Sequence, residues 1–186
     1  MNKEYTISLF TEDHIGILNQ ITIILTRRQI NIESITASES AVKGVKVLTL
    51  VVITTEEMVH KVARQIQKIV EVLKVFVHTS DEIVYQELAL LKVSTKDLMS
   101  GNLIDTIVRS HQARILEMTP EFIVIEKTGH KAEIKELLAA LESCRILQFI
   151  TSGRVAVTRQ VKELNTYLEE MDMANRFKPE KEQIMS

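Results

Sequence analysis

The chain has 186 residues, 45% of them hydrophobic, with 25 acidic and 23 basic side chains and a formal net charge of -2. That balance argues against a nucleic-acid binder driven by phosphate contacts, and the length suits one domain or two small ones. No apolar run approaches the ~18 residues of a membrane span. The opening MNKEYTISLF lacks the apolar core of a signal peptide, and the single Cys144 excludes an internal disulfide framework. A soluble, cytoplasmic protein is the expectation. Trp is absent and aromatics are 4%, which leaves no platform for stacking bases.

Two hydrophobic periods alternate along the chain. Tyr5 to Phe10 alternates and predicts a strand. Ile17, Leu18, Ile21, Ile24 and Leu25 recur at helical spacing. Asn31 to Ala41 and Val45 to Ile53 read as strands about a Val42-Lys43-Gly44 hairpin signal. Val59, Val62, Ala63, Ile66, Ile69 and Val70 mark a second helix, and Thr54 with Glu57 matches a capping box at its start. Leu73 to His78 is a further strand. The order βαββαβ is the ferredoxin-like arrangement.

The same order recurs about 75–80 residues later, as a repeat of units rather than of letters. Glu87 to Ser94 is a strand, and Asp97 to His111 a helix with Leu103, Ile104, Ile107 and Val108 on one face. Gln112 to Met118 and Phe122 to Lys127 are strands about Thr119-Pro120-Glu121; Lys131 to Glu142 is a helix and Arg145 to Ile150 a strand. The fold class expected is therefore α+β, two tandem ferredoxin-like domains at 1–79 and 83–159. The polar link Thr79-Ser80-Asp81-Glu82 divides them. A last strand-like piece, Arg154 to Arg159, precedes the segment 160–186. There Val161, Leu164, Leu168 and Met171 form the thin apolar stripe of a terminal helix, and a polar end follows. Val45 to Ile53 is apolar on both faces apart from Lys46 and Thr49. A sheet covered on one side only alternates more cleanly, so its second face is expected to be covered by another domain or subunit.

Catalytic signatures are missing. His14, His60, His78, His111 and His130 form no ligand-spaced pair or Cys/His cluster. Cys144 has no activating partner nearby in sequence and reads as a buried thiol. Gly16, Gly44, Gly101, Gly129 and Gly153 lie too far apart for GxGxxG or a P-loop. Acid pairs such as Glu56-Glu57 fit helix-start charges better than acid/base chemistry. No metal and no catalytic residue is expected.

The informative stretch is EDHIGIL. A strand ends near Thr11 and a helix begins near Gly16. The first N–H groups of that helix have no intrahelical acceptor and carry its positive dipole end, which suits a carboxylate. Gly16 lets a ligand approach the backbone. Asp13 could cap the helix or meet a ligand ammonium, Asn31 offers a donor and an acceptor, and Ile17, Leu18 and Ile32 could wall a small side chain. On residue chemistry alone an ordinary βα turn is the commoner reading.

DHIGIL followed by RRQINIES resembles the amino-acid-binding ACT-type regulatory domain. With QIQKIVEVLKV, ELALLKV, QARILEMTPEFIVIEKTG and SGRVAVTR in order, the chain resembles the small regulatory subunits of acetolactate synthase from Glu4 to Arg159. The resemblance implies a noncatalytic homodimer whose ACT domains pair and bind valine at their interface as feedback inhibitor. Carried over, the effector residues are Asp13, His14, Ile15, Gly16, Ile17 and Leu18 of one chain and Asn31 and Ile32 of the other. It also implies a catalytic large subunit, holding thiamine diphosphate, magnesium and FAD, which this chain activates. The large subunit's GDG…NN motif does not occur here. Relatives often have Asn where this chain has Asp13, and Pro or Ser at Ile15, which puts effector sensitivity in question. The alternative is a free-standing amino-acid sensor controlling transcription or another enzyme, but no helix-turn-helix signal or basic face accompanies it. A metal-responsive ferredoxin-like regulator lacks the ligand clusters it would need.

Overall fold

The computed structural model describes residues 1–95, 101–160 and 166. The first half runs β1 (Lys3–Glu12), α1 (Ile17–Arg27), β2 (Ile32–Glu39), β3 (Val45–Thr54), α2 (Glu56–Ile66), β4 (Val72–His78). A single 3-10 turn, Ser80–Glu82, leads into the second half. There β5 (Ile83–Ser94), α3 (Gly101–Ser110), β6 (Arg114–Met118), β7 (Phe122–Gly129), α4 (Lys131–Ala140), β8 (Ile146–Thr151) and β9 (Val155–Thr158) follow. The strands form two antiparallel sheets of order β2-β3-β1-β4 and β6-β7-β5-β8, with β9 added to β5. This is the expected α+β, ferredoxin-like architecture, present twice. The terminal helix expected from Val161, Leu164, Leu168 and Met171 falls outside the described residues.

Alternation decides which face each strand buries. Tyr5, Ile7 and Leu9 of β1 point inward beside Val52, Leu50 and Leu48 of β3, in the register Ile7↔Leu50 and Leu9↔Leu48. Ile21 and Leu25 of α1 and Val59, Val62 and Ile66 of α2 close the same core. The second core repeats the design with Ala89, Leu91, Val93, Ile123 and Ile125 under Ile104, Val108, Ile134 and Leu137. The turns after α1 and α3 also match: Gln29 and Gln112 take positive φ, 56° and 52°. In each, an N–H three residues past the helix bonds five residues back, Ile30 to Leu25 O and Ala113 to Val108 O. This closure satisfies carbonyls a helix end would otherwise expose.

Several boundaries differ from the sequence expectation. Thr54 does not cap α2; it ends β3 opposite Lys3 and is buried in the sheet. Thr55 caps instead, its Oγ1 accepting from the Met58 N–H at 3.3 Å. The helix stops at Ile66 rather than Val70, and Val70 is 91% exposed. The Gln67 side chain turns back to β4, accepting from the Val75 N–H at 2.8 Å and donating to Leu73 O at 3.3 Å. It thus serves backbone groups of an edge strand that no neighbouring strand reaches. β5 begins at Ile83, four residues earlier than its own pattern predicts, because β9 pairs with Ile83–Gln86.

The second face of the doubly apolar strand is covered in part, by the chain itself, while Ile53 on it stays 47% exposed. Thr6, Thr49, Val51 and His78 are buried on the side away from the helices. Arg154, from the β8–β9 corner, donates to Thr6 Oγ1 at 2.9 Å. His78 stacks on Phe76 with ring centroids 6.0 Å apart. Burial pushes the His78 pKa down, with the Glu82 carboxylate opposing. The folded state therefore takes up a proton less readily than the unfolded chain, so stability falls as pH drops below ~6.5. His78→Gln is expected to flatten the dependence of Tm on pH between about pH 7 and pH 5. Calorimetric scans across that window check it, and an unchanged slope would place the acid sensitivity elsewhere.

Candidate functional site

The β1–α1 turn is built around Gly16, whose φ of 90° and ψ of -5° are left-handed and strained for any residue with a Cβ. The turn is closed by the His14 N–H to Glu12 O at 2.9 Å, the Ile17 N–H to His14 O at 3.4 Å, and the Gln20 N–H to Gly16 O at 3.1 Å. Gly16 is itself the helix N-cap and brings no side-chain acceptor. The N–H groups of Leu18 and Asn19 therefore sit at the positive end of α1 without an intrahelical partner. A Cβ built on Gly16 would meet nothing within 4 Å, so the space above the turn is open.

Asp13 does not cap the helix. Its Oδ1 lies 2.8 Å from Lys46 Nζ on β3, which offsets the negative charge it would otherwise hold near an incoming carboxylate. Both side chains are solvent-accessible, so the pair is worth little in stability, ~0.2–1 kcal/mol. His14 Nδ1 lies 3.9 Å from Glu71 Oε1. Ile15 is 96% exposed and Leu18 42%, whereas Ile17 is buried in the core. Ile32 is half-buried against the same core.

Asn31 immediately precedes β2 and donates from Nδ2 to Glu33 Oε1 at 3.1 Å. It is not near the turn. Ile32 pairs with Val52, which pairs with Tyr5, while Thr11 pairs with Lys46. Six residues of β1 separate the two levels, about 20 Å at the rise of a strand. One chain therefore leaves the turn and Asn31 at opposite ends of its first sheet. β2 is also the outer strand of that sheet, and Ile35 on it is 40% exposed.

Two residues near the turn escaped the sequence reading. Lys46 was visible only as a polar exception on an apolar strand. Thr11 is fully buried, and its hydroxyl has no hydrogen-bond partner among the described residues. A buried unpaired hydroxyl costs roughly 1–3 kcal/mol. Thr11→Val, isosteric and apolar, is expected to leave Tm unchanged or raise it by several degrees, read by thermal unfolding. A Tm lowered by several degrees would show that the hydroxyl has a stabilising partner. No group of three or more His, Cys, Asp or Glu among the described residues could hold a metal. No described helix is long and apolar enough to cross a membrane. Cys144 is buried beside Ser143. What the turn can do chemically is hold a small anion.

A family model described as small subunit of acetolactate synthase matches residues 86–160, and one described as AHAS small subunit-like ACT domain matches residues 7–74. The acetolactate synthase small subunit of Bacillus subtilis is 33% identical over 162 residues, covering 84% of this chain and 91% of that protein. The one from Mycobacterium bovis is 29% identical over 164 residues, covering 88% and 97%. The crystal structure of the acetolactate synthase small subunit from Thermotoga maritima superposes with a TM-score of 0.77 at 26% identity, covering 85% of this chain and 98% of that one. Two matched units in this order, on two ferredoxin-like halves of which the first is of ACT type, make the chain a member of the acetolactate synthase small-subunit family.

Proposed function

We propose that the chain is the noncatalytic, regulatory subunit of acetolactate synthase, activating a catalytic large subunit and making it sensitive to valine. The two domains are 1–79, which binds the effector, and 83–159, with 160–186 as a terminal segment. The observation that carries this reading is the separation of the two effector segments within one chain. A two-fold axis beside β2, pairing the open edges antiparallel, sets the Ile32 end of one copy beside the Glu39 end of the other. Asn31 of one copy then approaches the Asp13–Gly16 turn of its partner, and Ile15 and Leu18 gain something to pack against. Valine fits the chemistry: carboxylate on the free N–H groups of α1, ammonium near Asp13 or Asn31, isopropyl group against Leu18, Ile15 and Ile32.

Regulation is then a coupled equilibrium. Valine prefers the dimer state that activates poorly and shifts the population by its differential affinity. A coupling of about 1–3 kcal/mol gives 5–150-fold modulation. Thiamine diphosphate, magnesium and FAD belong to the large subunit. On the second half, Val84, Leu88, Leu90, Ile150, Val155 and Val157 stay 36–64% exposed, an apolar surface of the kind an assembling subunit presents.

The test is acetolactate formation by the large subunit of the same organism, with this chain titrated in, valine present or absent. A rate raised by the chain and lowered again by valine supports both parts. A chain that leaves the rate unchanged with and without valine defeats the reading in favour of a sensor for another partner, to be sought by pull-down. Activation without a valine response leaves the subunit role standing and removes valine as effector.

A further inference from the structure

The Gly153–Arg154 corner between β8 and β9 lies where the two halves meet. Arg154 is 2% exposed, although it comes from a three-residue connection. Its Nη1 donates to Thr6 Oγ1 at 2.9 Å and its Nη2 to Glu4 Oε1 at 2.7 Å, both on β1. The same Nη2 lies 3.8 Å from Glu87 Oε1 on β5, and the guanidinium carbon sits 3.9 Å over the Tyr85 ring. The backbone is pinned as well. The Thr36 hydroxyl on β2 donates to Arg154 O at 3.0 Å. A Cβ on Gly153 would stand 2.3 Å from Thr36 Oγ1 and 2.9 Å from Ile35 O, so the corner lies flush on β2.

Four strands are thus joined through two residues. Two of them belong to the sheet that holds the effector turn and Asn31; β5 and β9 belong to the second half. β2 is the common element. It begins one residue after Asn31 and carries Thr36 about 17 Å further along, at strand rise. Only a planar, forked cation can bridge Thr6, Glu4 and Glu87 while stacking on Tyr85; a lysine ammonium makes a point contact. The guanidinium Nε is buried without a partner among the described residues, so the side chain is held in place at a cost rather than resting in a hydrogen-bond optimum. A displacement of the first sheet, β1 with β2, relative to β5 by about 1 Å would break the Thr36 and Thr6 bonds together, since such bonds fail beyond roughly 3.5 Å.

We infer that Gly153 and Arg154 are positioning residues through which occupancy of the effector site at the head of β2 is felt by the second half of the chain. The inference rests on the effector reading above and adds to it the route of coupling. A merely structural staple would lower stability when cut. A coupling element would leave effector affinity intact and remove its dependence on the large subunit.

Reciprocity makes that difference measurable: if valine changes large-subunit affinity by a factor, the large subunit changes valine affinity by the same factor. Valine binding is measured by calorimetry on the small subunit alone and on the assembled holoenzyme, for the wild type and for Arg154→Lys, Gly153→Ala and Thr36→Val. The variants are expected to bind valine alone within about threefold of wild type. The ratio of the two affinities is expected to fall from its wild-type value, typically 5–150-fold, to below about twofold. Thr36→Val removes one hydrogen bond and keeps the fold should the Arg154 variant fail to assemble. Folded variants that keep the wild-type ratio overturn the inference and leave Arg154 a staple. Absence of binding by the wild-type chain for valine, leucine and isoleucine alike overturns the effector reading, and the inference with it.

Discussion

Gly16→Asp is expected to raise the valine concentration needed for half-inhibition at least tenfold, while the large subunit is still activated. Tenfold corresponds to about 1.4 kcal/mol of lost effector binding. Two causes act together. The residue sits at a φ of 90°, where an L side chain costs roughly 1–2 kcal/mol. The added carboxylate would also stand in the open space above the turn, where a Cβ meets no atom within 4 Å beyond its chain neighbours and where the ligand carboxylate is proposed to bind. Gly16→Asn separates the causes, because Asn tolerates the left-handed region and brings no charge; its effect is expected to be smaller than that of Asp. Inhibition curves of the holoenzyme with each variant decide it. Full valine sensitivity in the Asp variant would put the effector site somewhere else.

Ile35→Lys is expected to break the homodimer without unfolding the chain. Ile35 lies on the open edge strand β2 and is 40% exposed, so the substitution costs an isolated chain no more than ~0.5 kcal/mol. Across a two-fold axis the same change places like charges near each other on a paired edge, a standard way of blocking such an edge. The dimer dissociation constant is expected to rise at least tenfold by sedimentation, and valine inhibition to fade with it, since the proposed effector site draws on both copies. The junction at Gly153 uses the backbone carbonyl of Ile35 rather than its side chain and is spared. A variant that stays dimeric at micromolar concentration would move the interface away from β2.

The local placement of the candidate residues was legible in the sequence. Asp13 and Gly16 lie in the β1–α1 turn and Asn31 just before β2, where their residue types placed them, and Leu18 is 42% exposed. Ile17 is instead buried in the core, because one turn of helix carries both core and surface positions and spacing alone does not say where the stripe begins. Asp13 was ambiguous between capping and ligand; Lys46, 33 residues away in sequence and 2.8 Å away in space, settles what it does in the isolated chain. Thr54 lost the helix cap to Thr55 because the sheet register, set by Lys3, had already committed it.

By itself the sequence determined the alternation of strand and helix, the repetition of the βαββαβ unit, and which face of each element is apolar. Those properties are local: side-chain burial writes a period of two or 3.6 into consecutive residues. The tertiary structure alone decided that Ile83–Gln86 extend β5, since their partners are Val155–Thr158. It alone decided that Gln67 ends a helix by serving β4, and that the turn and Asn31 stand at opposite ends of a sheet. It alone buried Arg154 against Glu4, 150 residues earlier. A polar residue records no period, and the free energy of its contacts depends on partners that only the folded chain brings within hydrogen-bond reach.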